Sequence, residues 1–166
     1  MLIVLRGNSG SGKSTVAKML REALLEKEPG SKIAVVEQDY LRRIVLKEKE
    51  SEGVNNIDLI YATVSFALDR GYIVILEGIL YSHRYIKMIE KIKAINSNSY
   101  FFYLDIPLEE TFKRHKSKSN SKDFGETEMR NWYKEKDILG FADEIIIKKE
   151  LNCDEIVNKI IATVNL

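Results

Sequence analysis

Residues Gly7-Asn8-Ser9-Gly10-Ser11-Gly12-Lys13-Ser14-Thr15 fit the pattern G-x-x-x-x-G-K-[ST], and their neighbours on either side dictate how that pattern folds. Before them, Leu2 to Arg6 is a short apolar run of strand type. After them, Val16, Leu20, Ala23 and Leu24 recur at helical spacing until Pro29-Gly30. A strand that turns through glycines straight into a helix lets successive backbone N–H groups converge on one point. The first helical turn adds its own unpaired N–H groups and the positive end of its dipole. Such a bend cradles phosphate oxygens. Lys13 is placed to reach the β and γ phosphates of a nucleoside triphosphate, and the Ser14 hydroxyl to ligate Mg²⁺. Gly7 through Thr15 are therefore the expected nucleotide-binding residues.

The alternation of strand and helix continues to the end of the chain. Ile33 to Glu37 reads as a second strand, and Ile57, Ile60, Val64 and Ala67 mark one face of a helix that stops at Gly71. Tyr72-Ile73-Val74-Ile75-Leu76 is uninterrupted, as expected where helices cover both faces of a parallel sheet. Ile86, Ile89, Ile92 and Ile95 predict another inward helical face, and Tyr100 to Ile106 a fourth strand. Pro107 suits the first turn of the next helix, with Glu109 and Glu110 near its positive end. Glu144 to Lys148 is a short fifth strand, followed by a capping signal at Asn152 to Glu155 and a helix with Ile156, Ile160 and Val164 inward. Parallel neighbours need crossover helices, so the pattern predicts an α/β domain over 1–166 with a mostly parallel sheet. Only residues 116–126 break the periodicity. That stretch reads as a solvated loop within a lid segment at about 115–130, with Lys116, Lys118 and Lys122 as exposed lid candidates.

Composition removes several alternatives. Twenty-six Lys and Arg against twenty-five Asp and Glu leave a net charge of +1, without the basic excess of a dedicated nucleic-acid or membrane-surface binder. The single Cys153 cannot form an internal disulfide. The opening apolar run stops at Arg6, too short for a membrane span and lacking the basic start of a signal peptide, which makes the cytoplasm the expected address.

A phosphate loop does not by itself distinguish a kinase from a GTPase or a mechanical ATPase, so further residues must decide. Asn120-Ser121-Lys122-Asp123 has the wrong spacing for guanine reading by Asn-Lys-x-Asp. Asp39 leaves the carboxyl end of the second strand, where open α/β sheets place ligands, and a carboxylate there can orient an acceptor hydroxyl and take its proton. Arg42, one helical turn on, projects from the same face and can hold an acceptor or steady Asp39. The structural alternative is that Asp39 caps a short helix while Arg42 and Arg43 are solvated. Glu77, followed by Gly78, ends the third strand as a candidate Mg²⁺ or acceptor group, or as a charged strand terminus. Residues from Tyr81 to Tyr85 either line an acceptor pocket or decorate an exposed helix start. Arg114 can stack on a base or reach phosphate oxygens. Arg130 begins a second basic stripe that can fold over the triphosphate or remain a solvated helix face. His83 and His115 have no partner at metal-ligand spacing.

Taken together, the loop Gly7 to Thr15, Asp39-x-x-Arg42, Glu77-Gly78 and Leu104-Asp105-x-Pro107 leading to Arg114 resemble the small P-loop kinases. The branch it is most similar to holds polynucleotide 5′-hydroxyl kinases, zeta-toxin kinases, chloramphenicol phosphotransferase and gluconate or adenylylsulfate kinases. The resemblance implies a three-layer α/β/α sandwich with a five-stranded parallel sheet in the order 2-3-1-4-5, and ATP with Mg²⁺. It implies Asp39 as general base, Arg42 as acceptor or phosphate ligand, Arg114 as the arginine near the nucleotide base, and Arg130 as a further lid arginine. Lys13, Asp39, Arg42, Arg114 and Arg130 are thus the expected catalytic residues, and Ser14 and Glu77 the expected metal residues. The expected acceptor is a hydroxyl on a small metabolite, nucleoside or antibiotic. The alternatives are a nucleic-acid 5′ end, which the near-neutral charge disfavours, and a nucleotide-sensing module without transfer.

Overall fold

A computed structural model describes residues 1–49, 55–116 and 125–165. Five strands, β1 (Leu2–Gly7), β2 (Ile33–Glu37), β3 (Ile73–Gly78), β4 (Ser99–Asp105) and β5 (Glu144–Lys148), form one sheet in the order β2-β3-β1-β4-β5. Every neighbouring pair is parallel. Among the described residues, α1 (Lys13–Lys27), α2 (Asn55–Asp69), α3 (Ser82–Ile95), α4 (Leu108–Lys116) and α5 (Glu126–Trp132) lie in the connections between strands, and α6 (Cys153–Val164) follows β5. This is the expected α/β/α sandwich and strand order.

The uninterrupted apolar strands serve both layers at once, because successive side chains point to opposite faces. Ile3, Leu5, Phe102 and Leu104 pack with Val16, Leu20 and Leu24 of α1 and Ile156, Ile160 and Val164 of α6. Leu2, Val4, Leu76 and Phe101 pack on the other face with Ile60 and Val64 of α2 and Tyr85, Ile89 and Ile92 of α3. The predicted inward position of Ile95 is a correction. At the last residue of α3 it has turned past the sheet and is 61% exposed. The capping signal before α6 is real and reciprocal: Glu155 N–H donates to Asn152 Oδ1 (3.0 Å) and Asn152 N–H to Glu155 Oε2 (2.8 Å).

Of the segment 115–130 expected as a lid, the described residues are the last two of α4 and those from Gly125 into α5. Lys118, Lys122 and the sequence Asn120 to Asp123 lie outside the described residues. No helix among the described residues is long and apolar enough to cross a membrane.

Candidate active site

The phosphate loop sits where it must, between the carboxyl end of the central strand β1 and the start of α1. Gly12 precedes α1 with φ +103 and caps it with no side chain, so the first N–H groups of the helix face the loop. Gly10 has φ +76, and a Cβ there would meet Thr111 O at 2.7 Å and Met129 Cε at 2.9 Å. The loop is therefore pinned beneath α4 and α5 at a point where only glycine fits. Lys13 is buried and donates from Nζ to Asn8 O (2.9 Å) and Ser11 Oγ (3.4 Å), folding its ammonium back over the loop.

Two predicted site residues meet directly. Ser14 Oγ donates to Glu77 Oε1 at 2.8 Å, although they are 63 residues apart. Glu77 is no strand terminus at a sheet edge. It lies on the inner strand β3, is 5% exposed, and pairs in register with Glu37 of β2. Burial raises its carboxyl above the ordinary carboxylate range; Lys13 and the Ser14 hydroxyl pull it back, and Glu37 and Asp39 push it further up. A buried carboxylate beside a hydroxyl is a donor set of hard oxygens, and it fits Mg²⁺.

Asp39 and Arg42 also come together. Arg42 Nη2 donates to Asp39 Oδ1 at 2.8 Å, with the Asp39 side chain 59% exposed and that of Arg42 only 13%. Asp39 makes no capping hydrogen bond, which sets aside its reading as a helix cap. The residues after it form a wide turn at Tyr40–Val45, in which Leu46 N–H reaches Leu41 O five residues back (3.0 Å). Such π-type turns tend to occur at functional sites. Asp39 and Arg42 open onto a cleft of about 530 Å³, whose other walls include Ser9 of the phosphate loop, Ile79, Tyr81 and Trp132. Of the undecided residues, Tyr81 lines this cleft and donates from its hydroxyl to Trp132 O (2.6 Å). Tyr85 is instead a core residue.

Arg114 lies against the phosphate loop. Its Nη1 donates to Ser11 O (3.1 Å), while Glu110 Oε1 accepts from its Nε (3.1 Å). Arg130 is exposed, with its guanidinium stacked 5.2 Å from the centre of the Phe112 ring. The side chain that α5 sends to the phosphate loop is Met129.

Sequence reasoning missed three supports of the site. Asn8, expected only as a loop residue, turns its amide away from the cradle: Nδ2 donates to Lys134 O (2.8 Å) and Oδ1 accepts from Lys134 N–H (2.9 Å). Arg6, fully buried, donates to Leu80 O, Asp137 O, Asp137 Oδ2 and Glu144 Oε1. Gln38 Oε1 accepts from Leu80 N–H (3.2 Å) and its Nε2 donates to Tyr85 Oη (2.8 Å), so the residue before Asp39 is anchored in the core. A lone Arg closing an apolar strand was the one visible signal.

The sequence matches, over residues 1–165, the family described as Chromatin associated protein KTI12. The chain belongs to the KTI12 family. No curated protein sequence matches it. Among solved structures, this KTI12-family chain is similar to Mycobacterium tuberculosis APS kinase CysC in complex with AMPPNP and APS, at TM-score 0.78 and 20% identity, covering 99% of this chain and 97% of that one. It is similar to Chaetomium thermophilum Kti12 in complex with ADP-AlF3, at TM-score 0.68 and 17% identity, covering 99% of each chain. A Sinorhizobium meliloti gluconokinase superposes at TM-score 0.65 and 16% identity, over 98% of this chain and 90% of that one. The fold is thus that of the P-loop kinases.

Proposed function

We propose that this protein binds ATP with Mg²⁺ and transfers the γ-phosphoryl group to a hydroxyl of a small acceptor held in the cleft beside Asp39. The observation that carries this reading is one of layout. A phosphate loop with Lys13, Ser14 and Glu77 and a separate cleft containing Asp39 share a border at Ser9. The likeness to CysC in complex with AMPPNP and to Kti12 in complex with ADP-AlF3 supports a nucleotide in the loop.

Gly7 to Thr15 would hold the phosphates through main-chain N–H groups, with Lys13 released from Asn8 O to the transferring oxygens. Ser14 and Glu77 would hold Mg²⁺, which neutralises charge on the phosphate oxygens when bound. Arg114, on the loop's other flank, adds a second cation. Asp39, kept in place by Arg42, accepts the proton of the acceptor hydroxyl. The hydroxyl oxygen forms the new P–O bond, the bond from the γ-phosphorus to the bridging oxygen breaks, and ADP leaves. Arg130 would join only if α5 shifted it off Phe112.

The test is incubation with ATP labelled at the γ-phosphate and a panel of alcohols, separating acid-stable phosphorylated product from free orthophosphate. Label in an organic product is expected. Orthophosphate alone across the panel would favour a second reading, nucleotide-gated association without transfer, which the family's description as chromatin associated recommends.

A further inference from the structure

The cleft beside Asp39 is electrically lopsided. Among the described residues, Arg42, Arg43, Lys47 and Lys49 line it against Asp39 and Glu48, an excess of two positive charges. Arg42 is committed to Asp39. Arg43, Lys47 and Lys49 are exposed and make no ion pair with another described residue. Like charges gathered around one concavity repel one another unless a guest neutralises them. The wide turn Tyr40–Val45 carries Arg42 and Arg43, and Lys47 follows it with φ +55, a left-handed conformation uncommon for lysine. Glu48 supplies the remaining observation. Its Oε1 accepts from Asn55 Nδ2 (2.7 Å), while its Oε2 is buried with no hydrogen-bond partner among the described residues. A buried carboxylate oxygen without a donor is costly, and a guest hydroxyl would satisfy it.

We infer that the acceptor is an organic phosphate bearing free hydroxyls: its phosphate sits among Arg43, Lys47 and Lys49, one hydroxyl donates to Glu48 Oε2, and another is presented to Asp39. This inference names the substrate class of the proposed phosphotransferase and rests on that reading for the word acceptor. A dianionic phosphomonoester matches the charge excess, and either a free phosphorylated sugar or the end of a nucleic acid carries this chemistry.

The chain's single tryptophan, Trp132, is on the wall of this cleft and reports on it without any transfer reaction. Protein saturated with Mg²⁺ and AMPPNP, so that the phosphate loop is filled, is titrated with ribose 5-phosphate, with ribose, with inorganic phosphate and with hexauridylate bearing a 5′ phosphate and its 2′ hydroxyls, following Trp132 fluorescence. Ribose 5-phosphate is expected to give a saturable change that weakens with added salt, inorganic phosphate a weaker one, and ribose none. Saturation by the 5′-phosphorylated hexauridylate at lower concentration than ribose 5-phosphate would assign the phosphate to a nucleic-acid end; the reverse order would assign it to a small phosphomonoester. Combined Arg43→Ala, Lys47→Ala and Lys49→Ala substitution should weaken the ribose 5-phosphate response about tenfold or more while AMPPNP affinity stays within about twofold. Lys47→Arg with Lys49→Arg should keep it. No saturable response to any of the anions, or ribose matching ribose 5-phosphate, overturns the inference. Failure of transfer with ribose 5-phosphate still bound would sink the transferase reading alone, and transfer to neutral alcohols without an anion response would sink this inference alone.

Discussion

Asn8→Ala distinguishes a loop residue that cradles phosphate from one that holds another part of the site in place. The Asn8 amide is 4% exposed and exchanges two hydrogen bonds with the backbone of Lys134, one at 2.8 Å and one at 2.9 Å. Each such bond contributes about 0.5–1.5 kcal/mol net. The Lys134 carbonyl keeps a longer bond from the Tyr103 hydroxyl at 3.4 Å after the change, so the loss is nearer one bond than two. A destabilisation of about 1–2 kcal/mol follows. For a chain of this size that is about 2–8 °C in the melting temperature. It is also roughly a 5–30-fold faster hydrogen exchange at the Lys134 amide, if exchange there proceeds by local opening. The main-chain N–H groups of the loop are untouched, so ATP affinity should stay within about threefold of wild type by calorimetry. If Asn8→Ala instead abolished nucleotide binding and left Lys134 exchange unchanged, the outward turn of this side chain would be wrong.

Three further outcomes follow from the same geometry. Arg6→Met leaves Asp137 and Glu144 without their buried cation and should cost about 3–5 kcal/mol in denaturant unfolding, with Asp137→Asn and Glu144→Gln added together recovering much of it. Because burial raises the Glu77 carboxyl, the fold holds that proton more tightly than the unfolded chain does. Its contribution is complete below the ordinary value of 4.5 and lost as pH rises through the folded value, so nucleotide-free protein should lose stability across that window and Glu77→Gln should flatten the slope in thermal melts. Gly78→Ala places a Cβ 2.6 Å from Gln38 Cβ and against Gln38 Oε1, so it should destabilise by about 1–3 kcal/mol in a urea titration, relieved in part by Gln38→Ala.

The architecture was legible because it rests on periodicity: five apolar runs, each followed by a helical period, leave little choice of sheet. The phosphate loop was legible because its chemistry is contiguous in the chain. Asp39 and Arg42 were readable for the same reason, lying within one turn of each other. What escaped was long-range. Asn8 and Lys134 are 126 residues apart, and nothing in the spelling of either says that an amide will grip a backbone. Arg6 looks like a strand end, yet it is the buried hub joining the loop after β3 to the segment before β5. Arg130 is the converse case. A basic residue after a polar loop suggests a phosphate clamp, but a nearby phenylalanine offers the guanidinium a face to stack on. The cleft walls Tyr81 and Trp132 come from segments whose own patterns are ambiguous, so only folding reveals that they face each other.

The most direct measurement pairs Lys13→Ala with Asp39→Asn, determining for each the ATP affinity by calorimetry and the rate of label transfer from ATP to the acceptor. Asp39→Asn is expected to bind ATP about as tightly as wild type and to lose transfer, because Asp39 stands in the cleft and outside the loop. Lys13→Ala is expected to lose transfer through the loop itself. Transfer at the wild-type rate by Asp39→Asn would contradict the role given to that carboxylate, and undiminished transfer by Lys13→Ala would contradict the phosphate-loop chemistry altogether.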